Sequence, residues 1–278
     1  MMPVWNLSRR VSRHVLAAVI IGVAAHVTAL SPASAQTMID MVDLSTDEFT
    51  KAVMSRADIE AAIAKLPEGE KLDLYAKPLN GLDLSNMDLR RTNLQQARLM
   101  GANLSGANLE GVVLDQAWAL KANLSGANLQ KANMFGTQLV GANLDGADLR
   151  GARLAGDFSK ASMVKANLEG ANLSADEANQ SMGLMRGVFS SANLEGANLK
   201  GANMARALLE YASFKDANLS GVTLRGSEAA GADFGGADVT GVDFIDADVN
   251  SAKIGQMKNA AAAKNLDKAK NLEKAYRK

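Results

Sequence analysis

The sequence predicts an all-β solenoid with short helical caps at both ends. Two observations carry the prediction. From Leu74 to Ile254 nearly every fifth residue is large and apolar, as in Leu104, Leu109, Leu114, Leu124, Leu129, Met134, Leu139, Leu144, Leu149 and Leu154. The residue two positions earlier is usually alanine, as at Ala102, Ala107, Ala122, Ala127, Ala132, Ala142 and Ala147. A period of five fits neither regular structure. On a helix of about 3.6 residues per turn, fifth residues drift around every face. On a strand, an odd period flips the side chain at each repeat. A chain that turns at every repeat instead points each apolar residue at a common interior. A unit that short buries nothing alone, so coils must stack on coils.

Units such as Ala102-Asn103-Leu104-Ser105-Gly106 and Ala197-Asn198-Leu199-Lys200-Gly201 resemble the pentapeptide-repeat family over about two thirds of the chain. The resemblance implies a right-handed quadrilateral β-helix with four pentapeptides per coil. The central Leu or Phe and the preceding small residue would then point inward. The Asn or Asp between them, and the two residues after the centre, would face out or form corners. Glycine suits the corners because it tolerates positive φ. Coils should lie about 4.8 Å apart, the spacing of hydrogen-bonded strands. Residues twenty apart then stack: Leu104, Leu124 and Leu144 in one inner column, and Leu109, Leu129 and Leu149 in the next. Each buried Leu contributes roughly 1.5–3 kcal/mol against about 1–2 kcal/mol of backbone entropy per residue. A column therefore tolerates one defect but not many.

Residues 1–35 read as a cleavable export signal. Arg9, Arg10 and Arg13 make a basic start, Val15 to Leu30 is an apolar stretch broken by His26, and Ala33-Ser34-Ala35 is a small-residue cleavage site that leaves Gln36 first. The rival reading, an uncleaved anchor, meets a stretch shorter than the roughly 20 residues a span requires. Ser8-Arg9-Arg10 resembles a twin-arginine signal, but Ser12, Arg13 and His14 depart from its hydrophobic continuation. The expectation is a periplasmic or secreted protein with no stable membrane span after cleavage.

Residues 36–71 form a lead-in. Ser45-Thr46-Asp47-Glu48 is a helix-start signal, the composition to Leu66 favours helix, and Pro67-Glu68-Gly69 stops it. The expected role is a helical cap over the first coil's open edge. Residues 72–255 are the β-helix, with two slips of register. Leu154 to Phe158 is a step of four, and the phase then runs through Met163, Leu168 and Leu173. The old phase returns at Leu184, Phe189 and Leu194, so Ser174 to Gly183 reads as a corner loop or bulge. Such a loop is either a recognition element or a tolerated surface insertion. In residues 256–278, Ala260 to Ala263, Leu266, Ala269, Leu272 and Tyr276 suggest a basic amphipathic helix. It either caps the last coil or touches an anionic surface or partner.

Composition excludes much chemistry. Both histidines, His14 and His26, lie in the export segment, and the chain has no cysteine. Zinc sites of the Cys/His type, Ser-His-Asp triads, Cys-His dyads and disulfides are therefore excluded from the mature chain. No catalytic residue, metal site or cofactor is expected. Repeated Gly-x-x-x-x-Gly, as at Gly101 to Gly106, is a by-product of the period, since no Gly-Lys-Ser/Thr follows. Asp233, Asp238, Asp243 and Asp248 fall on different sides of a four-sided coil and read as solvated corner residues, since a metal cage needs a dense loop of oxygen ligands. Removal of three arginines takes the net charge from 0 to −3. From Gln36 to Glu70 there are eight acids and three bases, and from Gly255 to Lys278 two acids and seven bases. That distribution does not signal nucleic acid.

One surface signal stands out. Residues 99, 119 and 139 share an inner column. Arg98, Trp118 and Gln138 precede them outside, and Met100, Leu120 and Val140 follow. Val113 and Phe135 lie outward on the adjacent side. These residues predict a joined apolar strip, with Arg98 over the Trp118 indole, as a site for a partner or a homodimer seam. The alternative is a local register change in which Trp118 or Leu120 turns inward to replace the small Ala119.

Three functions follow. The leading one is a non-catalytic exported scaffold that binds a protein or envelope partner. The second, a DNA mimic that binds topoisomerases, is a role the family resemblance implies for acidic intracellular rods. Here Arg90, Arg91, Lys121, Lys131, Arg150, Arg153, Lys160 and Lys165 interrupt the acids. The third, a carbohydrate-active β-helix enzyme, requires a paired-carboxylate cleft that the repeat does not show.

Overall fold

A computed structural model describes residues 42–175 and 185–277, and residues Asp43–Lys278 form one compact unit. The expected export segment lies outside the described residues. The repeats wind into four-sided coils joined by parallel pairing. Asn103 pairs with Asn123 and Asn123 with Asn143, Asn108 with Asn128, Arg98 with Trp118, and Asn93 with Val113. Each central residue donates its N–H up one coil, as Leu104 does to the Asn123 carbonyl at 2.6 Å, and the residue before the centre donates down, as Asn123 does to Ala102 at 2.9 Å. Among the described residues, only β1 (Leu72–Asp73) and β2 (Thr92–Asn93) extend beyond single-residue bridges. Each side is too short between its corners for a longer ladder.

Leu104, Leu124 and Leu144 stack as expected and are all buried, as are Leu109, Leu129 and Leu149. The corners repeat a second rule. Where a corner residue with positive φ carries a side chain, the next coil often has glycine above it. Lys121 lies under Gly141, Lys131 under Gly151 and Arg206 under Gly226. The glycine accepts the left-handed backbone and leaves room for the stem of the side chain below.

The lead-in is not one helix from Ser45. α1 (Asp47–Thr50) ends where Ala52 makes an antiparallel bridge to Leu79 and the Val53 N–H donates to the Pro78 carbonyl at 2.9 Å. A second start follows. Ser55 and Asp58 form a reciprocal capping box for α2 (Arg56–Ala64), which buries Ile59 in the end of the core. The bridge to the first coil satisfies backbone groups at the exposed edge, and that gain overrides local helix propensity.

At the first slip the step of four is tight. A Cβ on Gly156 would stand 2.6 Å from the Thr137 carbonyl oxygen, so no larger residue fits without movement. At the second, the ladder passes from Asp157 to Val188, and the chain re-enters at Gly187, whose N–H donates to the Leu173 carbonyl at 3.1 Å. Phe158 and Phe189 stack across this point at 4.8 Å, with planes 2° apart. The ladder thus resumes at Val188, directly after Gly187; residues 176–184, which include Leu184 and most of the expected loop, lie outside the described residues.

The C-terminal helix expected over 256–278 does not form. Lys258, Lys264, Lys270 and Tyr276 continue the four ladders with one more residue per side, pairing with Asp238, Asp243, Asp248 and Lys253. The extra residue is taken up by 3-10 turns at Ala260–Ala262, Leu266–Lys268 and Leu272–Lys274, each preceded by an asparagine with positive φ: Asn259, Asn265 and Asn271. The apolar spacing read as a helix is a six-residue repeat. Asparagine tolerates the left-handed corner, so each side turns instead of continuing. Leu266 and Leu272 are half-buried against the core, as a cap would require.

Candidate interaction site

The repeat fixes which residues face out on the side that carries Trp118. Ala119 is buried at 3% exposure, between Leu99 below and Leu139 above. The register therefore does not change, and Trp118 and Leu120 stay outward and half-buried. Met100 and Val140 are half-buried in the same way, and Arg98, Trp118 and Gln138 form the neighbouring outward ladder. The ladder continues past the first slip through Asp157 to Val188 and Leu208, both half-buried and outward. On the following side and the opposite side the equivalent positions hold Asn103, Asn123 and Asn143, and Asn108, Asn128 and Asp148. Asn123 Nδ2 donates to Asn103 Oδ1 at 3.2 Å and Asn128 Nδ2 to Asn108 Oδ1 at 3.1 Å, so those sides are amide ladders.

Val113 and Phe135 are placed differently from a joined strip. Val113 pairs with Asn93 and Asn133 on the preceding side. The corner between the two sides is polar there: Gln96 Nε2 donates to Gln116 Oε1 at 3.1 Å. Phe135 lies under the Arg153 guanidinium, 4.7 Å from its ring centre. Its backbone N–H donates to Asp115 Oδ1 at 2.9 Å, and Asn133 Nδ2 donates to Asp115 Oδ2 at 2.9 Å. Burial nevertheless pushes the Asp115 carboxyl above its ordinary range, outweighing that backbone bond and the Arg153 charge. Met185 reaches the same corner, its Cε 3.3 Å from where a Cβ on Gly136 would stand.

Trp118 has a partner that the repeat does not supply. Phe49, from α1, meets its indole edge-on with centroids 5.4 Å apart and planes at 62°. Arg98 covers the Phe49 ring, 5.3 Å from its centre, where the expectation placed it over Trp118. Arg98 also pairs with Glu48 through Nη2 and donates from Nη1 to the Ala76 carbonyl at 2.7 Å. The acid on α1 and the aromatic ring below it draw the guanidinium away from the indole. Asn80 Nδ2 donates to the carbonyls of Glu48 at 2.9 Å and Lys51 at 3.0 Å. Part of the strip is thus covered by the chain's own segment. Val188 and Leu208 were legible from their phase in the repeat, but nothing in the sequence ties Phe49 to Trp118.

Other chemistry is sparse among the described residues. No group of three or more Asp, Glu, His or Cys is placed to hold a metal. Among the described residues, no helix is long and apolar enough to cross a membrane. A notch of about 390 Å3 lies beside Gly235, Gly236 and Gly255, but its carboxylates are engaged: Asp233 by Lys253 at 3.0 Å and Lys215 at 3.6 Å, and Asp216 by Lys258 at 3.6 Å.

The family model for pentapeptide repeats matches residues 79–116, 120–156 and 188–226, in eight copies. Among solved structures, the full-length plasmid-mediated fluoroquinolone resistance protein QnrB1 aligns over 70% of this chain and 95% of its own, at 16% identity and a TM-score of 0.58. HetL, a pentapeptide repeat protein involved in heterocyst differentiation regulation in the cyanobacterium Nostoc sp. strain PCC 7120, aligns over 80% of this chain and 99% of its own, at 24% identity and a TM-score of 0.38. At 16% identity the likeness to QnrB1 concerns the fold alone. A comparison with curated proteins finds no match. With the four ladders, the five-residue register and the glycine corners, the family-model match makes the chain a member of the pentapeptide-repeat family, folded as a right-handed quadrilateral β-helix.

Proposed function

We propose that this protein is a non-catalytic scaffold, exported to the periplasm or beyond, that binds a protein partner through the side bearing Trp118. The observation that carries the reading is the two groups of half-buried apolar residues on that side, Met100, Trp118, Leu120 and Val140 and then, past Gln138 and Asp157, Val188 and Leu208, where two other sides present amide ladders. Burying such groups recovers roughly 25 cal/mol per Å2 before the costs of association. The DNA-mimic reading has less support. Arg90 pairs with Asp88, Arg150 with Asp148 and Lys200 with Glu169, so acids and bases alternate along one side and form no phosphate-like row.

The test is a tagged pull-down from the cell envelope, comparing the parent protein with Trp118→Ala/Leu120→Ser. A partner retained by the parent and lost by the folded variant supports the reading; equal capture by both overturns it. Export is tested separately. N-terminal sequencing of extracytoplasmic protein is expected to begin at Gln36, and recovery of the full-length chain in the cytoplasm would reverse the localisation.

A further inference from the structure

We propose that the seat of Phe49 is a recognition site for an acidic–aromatic segment of the partner protein, and that the chain's own Glu48-Phe49 is a built-in competitor for it. The inference rests on the reading of the Trp118 side as a docking surface, and it specifies the partner's chemistry and the regulation of that surface.

The cis segment shows what the seat recognises. Arg98 takes a carboxylate from Glu48, and the next residue places an aromatic ring between the Arg98 guanidinium and the Trp118 indole. Asn80 donates to two backbone carbonyls, a contact that any suitably placed peptide offers regardless of its side chains. The recognised pattern is therefore a carboxylate followed directly by an aromatic residue.

The same segment is held in a way that permits release. α1 has only four residues, buries none of them fully, and its Thr46 makes no side-chain cap. Its one internal ion pair, Lys51 to Asp47, is open to solvent, where such pairs add little. Arg98 is also incompletely used. Its Nε is buried and has no hydrogen-bond partner, although Nη1 and Nη2 are both engaged. A carboxylate that engaged Nε and Nη2 together would make the two-pronged pair that guanidinium favours, which Glu48 does not. A partner segment with that geometry gains a bond the cis segment lacks. It also continues onto Leu120 and Val140, on the same side and half-buried.

The experiment uses residues 36–278 and a labelled synthetic peptide spanning residues 43–54, with Trp118 emission and fluorescence anisotropy as readouts. Trp118 is the only tryptophan after residue 35, so its emission reports the seat directly. The Glu48→Ala/Phe49→Ala variant, with its own segment disabled, is expected to bind the peptide at least ten-fold more tightly than the parent. Arg98→Ala added to that variant, or Phe→Ala in the peptide, should abolish binding. Equal binding by parent and variant, binding that survives Arg98→Ala, or no binding to the variant overturns the proposal. Should the variant fail to fold, excess peptide is added to the parent protein instead. Faster tryptic cleavage at Lys51 then supports release of the segment, and an unchanged rate overturns it. A parent dimer that the peptide splits would assign the seat to a second copy and overturn the proposal in this form. Envelope capture that depends on Trp118 while the peptide distinguishes nothing would sink the competitor alone; loss of that dependence would sink the docking side as well.

Discussion

The Lys253 ammonium lies 3.0 Å from the Asp233 carboxylate one coil below it, and the same succession of lysine above aspartate recurs in the other three ladders. Lys258, Lys264 and Lys270 stand over Asp238, Asp243 and Asp248 on the other three sides. Asn259, Asn265 and Asn271 add amide donors to the same three carboxylates, at 3.0, 2.8 and 2.9 Å. The four aspartates are thus a ring of acceptors that receives the terminal coil, which explains why the basic tail stacks on the rod.

That ring makes the terminal coil acid-sensitive. Hydrogen bonds from Thr240 and Asn259, with the Lys258 charge, hold Asp238 below the usual carboxylate range. At Asp233 and Asp243 burial is the largest single influence and acts upward, but the hydrogen bonds and lysine or arginine charges together outweigh it and the net shift is downward. A depressed carboxyl contributes stability that is present above its unfolded value near 3.9 and lost as pH falls through the folded value. The amides of Lys258, Lys264 and Tyr276 should stay protected from exchange between about pH 5 and 8 and lose protection below about pH 4, before the middle coils open. Simultaneous loss of protection along the whole rod would show that the ring does not govern the end.

A charge in the inner column should unfold the rod. Leu144 is fully buried, and its neighbours in the column are Leu124 and Met163. Leu144→Asp is expected to cost at least about 3 kcal/mol and to lower Tm sharply, because no partner for the carboxylate lies in the core. Thermal unfolding against the parent checks it; an unchanged Tm would reverse the inside–outside assignment.

The two kinds of glycine should respond differently. Gly156 lacks positive φ but faces the Thr137 and Met134 carbonyls at 2.6 and 3.0 Å from a would-be Cβ. Gly146 has φ +65° and open space around it. Gly146→Ala is expected to cost about 1–2 kcal/mol from the left-handed backbone. Gly156→Ala should cost about 2–3 kcal/mol, since backbone rather than a flexible side chain must move. Urea midpoints measure both. Equal costs would mean that the short step relaxes easily.

Phe49→Ala should loosen α1 without unfolding the coils, because Ile59 of α2 remains buried at the rod's end. The loss of an edge-on pair and a half-buried ring is expected to cost about 1–2 kcal/mol. Trp118 emission should shift to the red in proportion. Unchanged emission would show that Phe49 does not cover the indole in solution.

The sequence by itself determined the solenoid, its four inner columns, the outward positions and the places where the register breaks. These follow from a period of five, which is local, repeated and compatible with one inside and one outside. It offered Trp118 and Leu120 either as outward groups or as inward replacements for Ala119, and only the burial of Ala119 itself decided between the two. Tertiary structure alone decided three things. It split the lead-in at Ala52, because an open coil edge offers backbone partners that a free helix cannot match. It turned the lysine-rich tail into a last coil, because its apolar residues had a core end to cover and its lysines an aspartate ring to meet. It brought Phe49 to Trp118 across a sequence separation that no periodicity spans, since contacts between a non-repeating segment and a repeating one depend on where the rod's first coils happen to stand.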